Sequence, residues 1–129
     1  MSRKILVIDD DHFVPKIVML CLASANQFVI LSARDGSQGL AMALQERPDL
    51  IFLDFDLPSL DGLAVLLELR RSPAVRAVPI VAITGMLAHH SRCAEFVAES
   101  DAYLPKPLDF DGLRRTVRQL THQPVNARA

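Results

Sequence analysis

The stretch LDFDLPSLDG, Leu53 to Gly62, sets two carboxylates, Asp54 and Asp56, directly behind the hydrophobic run Leu50-Ile51-Phe52. Polar groups follow other short apolar runs in the same way. Asp9, Asp10 and Asp11 follow Ile5 to Ile8, Thr84-Gly85 follows Pro79 to Ile83, and Lys106-Pro107 follows Ala102 to Leu104. An open parallel sheet binds ligands outside the carboxyl ends of its strands, so these acids, a hydroxyl and an ammonium gather at one end of the molecule. Massed carboxylates repel one another without a counterion, and the chemistry this set invites is that of acids around a hard, oxygen-seeking cation. A fifth run, Phe28 to Leu31, leads instead to Ala33-Arg34-Asp35-Gly36, which reads as a turn into a helix.

The elements that must carry these residues alternate in character. The five apolar runs are separated by longer amphipathic stretches, the pattern of βα repetition and a parallel sheet. The first, third and fourth runs are nearly continuous hydrophobics, as strands covered on both faces require, and belong in the sheet centre. Helical spacing puts Phe13, Ile17, Leu20, Cys21 and Ser24 on one core-facing stripe, then Leu40, Ala43 and Leu44, then Leu63, Leu66, Leu67 and Arg70. Cys93, Phe96 and Val97 form a fourth stripe and Leu113, Val117 and Leu120 a fifth, with Arg114, Arg115 and Arg118 placed to suit the helix dipole.

Taken together, KILVIDDD, DLIFLDFDLPSLDG, PIVAITG and DAYLPKPL resemble the receiver domain of bacterial two-component response regulators, the CheY-like family, from Lys4 to about Leu120. The resemblance implies a three-layer, doubly wound α/β fold with five parallel strands in the flavodoxin-like order 2-1-3-4-5 and five helices. It implies a receiver over residues 1–120 and a short polar tail over 121–129. In that order the strands with chemical ends are contiguous, and at about 4.8 Å between neighbours the acids of the first and third reach one small cation, magnesium being the best match. Asp54 is then the phosphoacceptor, attacking a phosphohistidine on a histidine kinase or histidine phosphotransfer protein. Asp9, Asp10, Asp54 and the backbone carbonyl of Asp56 are the metal ligands, and Lys106 and Thr84 receive phosphoryl oxygens. Thr84 and Tyr103 form the switch, and Asp56 and Met86 are modulators of the site. Phosphorylation rearranges the face around the fourth helix, fifth strand and fifth helix toward a downstream protein target, which makes the chain a phosphoryl-accepting switch that assists its own phosphorylation and dephosphorylation.

Two other functions fit part of the pattern. DFDLPS is similar to the DxDx(T/V) motif of haloacid-dehalogenase-type phosphohydrolases, in which Asp54 would be phosphorylated and Asp56 would be the acid-base. That motif normally stands on the first strand, whereas an acid triplet precedes it here. A degenerate receiver serving only as a docking scaffold is the second, and the complete set Asp9, Asp10, Asp54, Thr84 and Lys106 speaks against it. Alone, each residue has a plainer role: Asp11 and Asp61 as helix N-caps, Thr84 as a strand residue, Lys106 as a surface charge. Adjacent His89 and His90 lack the spacing of a helical metal pair, and His12 stands at an exposed helix start. Pro105 fits an edge strand, Glu99 stands where the family often has a helix-ending glycine, and Lys106-Pro107 matches a dipeptide usually cis in the family.

Composition bounds the rest. At 129 residues, 50% hydrophobic and 22% charged, the chain suits one globular domain. A net charge of -1 offers no footprint for nucleic acid, and the run Ile5 to Ile8 is too short to cross or enter a membrane. A cytoplasmic location is expected. Cys21 and Cys93 read as buried structural thiols. The first helix carries a surplus of apolar residues, Val14, Val18 and Leu22, a strip offered to a helical partner. With the chain ending soon after its fifth helix, no output domain is expected. The oligomeric state is open, a phosphorylation-dependent dimer included.

Overall fold

The computed structural model describes residues 3–22, 27–85 and 91–121. Ser24, Met86, His89, His90 and residues 122–129 lie outside the described residues. The elements are β1 (Arg3–Ile8), α1 (Phe13–Cys21), β2 (Phe28–Ala33), α2 (Gly36–Glu46), β3 (Leu50–Asp54), α3 (Gly62–Arg71), β4 (Ile80–Thr84), α4 (Ser91–Glu99), β5 (Ala102–Pro105) and α5 (Phe110–Thr121). The strands lie in the order β2-β1-β3-β4-β5, and every pairing is parallel.

Continuous aliphatic strands leave no polar face, so both sides of the sheet must be covered. Ile5, Val7, Leu50, Phe52, Val81 and Ile83 pack against α1 and α5 through Val14, Val18, Cys21, Leu113 and Val117. The alternate residues Leu6, Ile8, Ile51, Leu53, Ile80 and Ala82 pack against α2, α3 and α4 through Ala43, Leu63, Leu66, Leu69, Cys93 and Phe96. β3 and β4 are buried along their whole length, whereas the edge strands β2 and β5 are half-exposed. The missing amide donor of Pro105 costs little at that edge. Both cysteines are buried free thiols, as expected.

Helices α3, α4 and α5 bury the expected stripes through Leu63 and Leu66, Cys93 and Phe96, and Leu113 and Val117, whereas α1 and α2 differ in part. In α1, Val14, Val18, Cys21 and Leu22 are buried, while Phe13 and Leu20 are 59% and 68% exposed. Cys21 is buried as expected, but Val14, Val18 and Leu22, expected as a surplus strip, take the core places expected of Phe13 and Leu20. Two apolar stripes satisfy helical periodicity equally well, and docking against the sheet and α5 decides between them; in the entry turn the Phe13 amide donates to the Asp11 carboxylate and the Val14 amide to the Asp11 carbonyl. Leu44 is exposed, and α2 instead presents Gly36, Gly39 and Ala43. A Cβ on Gly39 would lie 2.6 Å from Ile8 Cδ1, so glycine lets α2 lie directly on the strand that leads to Asp9. Arg70 serves as a polar clasp: its guanidinium donates to the carbonyls of Arg76 and Val78 and to Asp101. Thr121, assigned to the tail from sequence, is the buried last residue of α5, its hydroxyl donating to the Val117 carbonyl.

Candidate functional site

Register brings the chemical residues together. Ile8 is level with Leu53, Asp54 with Ile83, and Thr84 with Pro105, so Asp9, Asp54, Thr84 and Lys106 stand side by side across four neighbouring strands. The Asp9 amide extends the ladder to the Ala33 carbonyl, and the Lys106 amide extends it to that of Thr84. Glycine fixes the floor beneath Asp54. The Gly62 amide donates to the Phe55 carbonyl, and a Cβ at Gly62 would lie 2.5 Å from the Asp54 carbonyl oxygen, which no larger residue tolerates without moving the strand end.

Asp9, Asp54 and Thr84 are buried, whereas Asp10, Asp11 and Asp56 are exposed. The Lys106 ammonium bridges the two buried acids, 2.8 Å from Asp9 Oδ2 and 3.5 Å from Asp54 Oδ2. Asp9 Oδ1 accepts the Asp11 amide, and Asp9 Oδ2 meets the Lys106 ammonium as an ion pair. Burial, and then the neighbouring Asp9 charge, push the Asp54 carboxyl up to about 7; Lys106 pulls in the opposite direction without cancelling them. Burial disfavours the Lys106 charge, but Asp9 and Asp54 outweigh it and hold the ammonium above its ordinary range. Two acids and one ammonium therefore leave an unbalanced negative charge in a desolvated place.

The residues suit a divalent ion. One oxygen each from Asp9, Asp10 and Asp54 lie within 4.8 Å of one another, an all-oxygen donor set of the kind hard cations take. The buried Asp9 Oδ2 is met by the Lys106 ammonium, and Asp10 reaches the group from the solvent side. A cleft of about 390 Å³ opens over this cluster, lined by Asp10, Asp54, Asp56, Thr84, Gly85 and Lys106. Asp56 is on its wall, its backbone amide donating to the Asp54 carboxylate.

Other residues singled out in the sequence have mostly structural places. Asp35 and Asp61 cap α2 and α3, accepting the amides of Gln38 and Ala64. The N-cap position of α1 belongs to His12 and not to Asp11 as expected: Asp11 stands one residue earlier and accepts the Phe13 amide, and the exposed His12 ring stacks on Phe13 with centroids 4.6 Å apart. Tyr103 is 41% exposed, with its hydroxyl 3.5 Å from the Thr84 carbonyl oxygen. The ionic contact of Lys106 with Asp9, closer than that with Asp54, was not legible in sequence. Nor was the forked ion pair of Arg92 with Asp61, Nε to Oδ2 at 2.7 Å and Nη2 to Oδ1 at 2.8 Å, since residues so far apart in the chain carry no local signal of contact.

Comparison with known proteins places this arrangement. Residues 5–118 match the model of the response regulator receiver domain. The DNA-binding dual master transcriptional regulator RpaA of Synechocystis is 36% identical over 117 residues, 91% of this chain and 48% of that protein. Response regulator MprA of Mycobacterium tuberculosis is 38% identical over 120 residues, 93% of this chain and 51% of that protein. This chain spans about half the length of these two relatives. Among solved structures, the receiver domain of the sensor histidine kinase PA1611 from Pseudomonas aeruginosa, with a magnesium ion coordinated in its active site cleft, superposes with a TM-score of 0.83. It is 28% identical, and the match covers 95% of this chain and 100% of that one.

Proposed function

The chain belongs to the response regulator receiver domain family of two-component signalling, and from that membership we propose that Asp54 is the residue that accepts the phosphoryl group. The observation that carries this reading is the place of Asp54: the last residue of a central strand, buried at the floor of an open cleft, with Lys106 3.5 Å away and Thr84 beside it. An Asp54 oxygen forms the new O–P bond while the N–P bond of the donor phosphohistidine breaks and the imidazole leaves with its electron pair. Magnesium held by Asp9, Asp10, Asp54 and the Asp56 carbonyl would keep Asp54 ionised and neutralise charge on the transferred group. Lys106 holds Asp9 in place and offers its ammonium to a phosphoryl oxygen as a point charge. Thr84 offers its hydroxyl to another, and its displacement toward the phosphoryl group lets Tyr103 turn inward, the switch in this reading. Asp56, on the cleft wall, and Met86, outside the described residues, modulate how long the acyl phosphate survives, and the same constellation assists its formation and hydrolysis.

Receiver domains take phosphoryl groups from histidine kinases, and the donor has a surface to use here. Beside the cleft, Asp11, Val14, Ile17, Lys106, Pro107 and Leu108 line an apolar groove, and the outward face of α1 continues it with Phe13 and Leu20. We assign the phosphohistidine-bearing helix of the donor to this groove, with Phe13, Ile17 and Leu20 replacing the strip Val14, Val18 and Leu22 expected from sequence. No helix among the described residues is long and apolar enough to cross a membrane. A cytoplasmic location, a receiver ending just past Thr121 with a polar tail after it, and a downstream protein target complete the proposal. The phosphohydrolase alternative is not favoured, since the receiver model accounts for residues 5–118.

The deciding experiment is intact mass after incubation with acetyl phosphate, with and without magnesium, on the wild type and Asp54→Asn. One phosphoryl group gained only by the wild type with magnesium is the expected result. An adduct surviving in Asp54→Asn would mean that another acid is the acceptor.

A further inference from the structure

Resting on the receiver reading, the contacts of α4 carry one step more. This helix follows β4, the strand that ends in Thr84, and its Cys93 side chain is hydrogen-bonded to Thr84; two further ties run to the segment that follows Asp54. Its first turn is held by the two-pronged pair of Arg92 with Asp61, at 2.7 and 2.8 Å. Asp61 is already committed: its Oδ1 also accepts the Ala64 amide as the N-cap of α3, so the guanidinium grips a carboxylate whose position is set by the helix start. One turn further along, Phe96 is fully buried against the same segment, its ring centroid 5.6 Å from that of Phe55 and its edge 3.0 Å from where a Gly62 Cβ would stand. Gly62 in turn lies against the Asp54 backbone. The contact is therefore double, a forked ion pair at the rim and an aromatic pair beneath it, and both ends start within a few residues of the proposed phosphoacceptor.

We propose that Arg92 and Asp61 form a latch that holds α4 in its resting position against the segment downstream of Asp54, giving the phosphorylation state a second route to α4 beside the contact of Thr84 with Cys93. A fork needs both nitrogens aligned with both oxygens, so a displacement of α4 of an ångström or so forfeits it, and a contact present in one packing only biases the equilibrium by its own strength. Arg92 acts through α4 and touches no reacting atom, which makes it a positioning residue.

The test uses Arg92→Gln, which cannot fork, and Asp61→Asn, which keeps a good N-cap while removing the charge. In the metal-free protein, amide hydrogen exchange of α4 should quicken about three- to tenfold in each variant, the scale of a partly exposed bidentate pair, and no further in the double variant. With magnesium and beryllofluoride, a non-covalent stand-in for the phosphoryl group, both variants should bind about three- to tenfold tighter than the wild type. Unchanged α4 exchange, or additive effects in the double variant, would overturn the latch without reference to phosphorylation. Wild-type beryllofluoride binding with no gain in the variants would overturn its role in switching. A wild type that takes up no beryllofluoride would count against the phosphoacceptor reading, leaving hydrogen exchange to decide the latch.

Discussion

Replacing Asp54 by asparagine should make the metal-free protein more stable, not less, and only above acid pH. The carboxyl is displaced from its usual 3.8 to about 7, chiefly by burial and then by the Asp9 charge. A carboxyl raised in the folded state binds more protons there than in the unfolded chain, so between these two values stability falls as pH rises. At about 1.4 kcal/mol per pH unit the ceiling on that loss is about 4 kcal/mol above pH 7. Asp9 and Lys106 readjust when Asp54 changes charge, so about half of it, about 2 kcal/mol, is the expected gain from Asp54→Asn. The side-chain amide oxygen of asparagine still accepts the Asp56 amide, and Lys106 keeps its nearer partner Asp9 at 2.8 Å, so both neighbours of Asp54 retain a partner. Thermal melts in a chelator should show the variant melting about 5–8 °C higher at pH 8 and level with the wild type near pH 4. Magnesium should then raise the wild type toward the variant at pH 8, because the ion relieves the same repulsion. A difference independent of pH, or a wild type that melts above the variant in chelator at pH 8, would refute the electrostatic account of the site.

Removing the other sign of charge should do the opposite: Lys106→Met leaves Asp9 buried without a counter-charge, and a loss of about 2–4 kcal/mol in urea unfolding is expected, largely restored by magnesium. Gly62→Ala pushes a methyl group into the Asp54 carbonyl and should cost about 1–3 kcal/mol while slowing phosphorylation by acetyl phosphate, measured on the folded fraction. On α1, Val18→Glu buries a charge in the core and should unfold most of the protein, whereas Leu20→Glu should leave the melting temperature within about 2 °C and slow only transfer from the cognate phosphohistidine donor. For Arg92→Gln, the stability cost relative to wild type should be present at pH 7 and vanish in acid. The Arg92 hydrogen bonds hold the Asp61 carboxyl below its ordinary range, and a depressed carboxyl contributes stability above its unfolded value and loses it as pH falls through the folded one. Urea midpoints at the two pH values would check this.

Much of this protein is written locally. Uninterrupted apolar runs at Ile5–Ile8, Leu50–Leu53 and Ile80–Ile83 can only be satisfied by cover on both faces, which determines a parallel α/β sheet with those strands at its centre. The residue that follows each run lands at the same end of such a sheet, so Asp9, Asp54, Thr84 and Lys106 were identifiable as one constellation from order and spacing. The Asp61 cap was legible because an aspartate stood directly before a helical pattern, and Asp35 stood in a stretch read as a turn into a helix. What periodicity leaves undecided is a choice between equivalent local solutions. Helix α1 has two apolar stripes, and only docking against the sheet and α5 selected Val14 and Val18 over Phe13 and Leu20, because burial is a property of the assembled layers. Likewise the electrostatics of the site, with Lys106 nearer Asp9 than Asp54 and Asp54 pushed toward neutrality, depend on ångström distances and desolvation between four strands. The grip of Arg92 on Asp61 belongs to the same class: sequence supplies the two charges, and only the packing of α4 against α3 makes them partners.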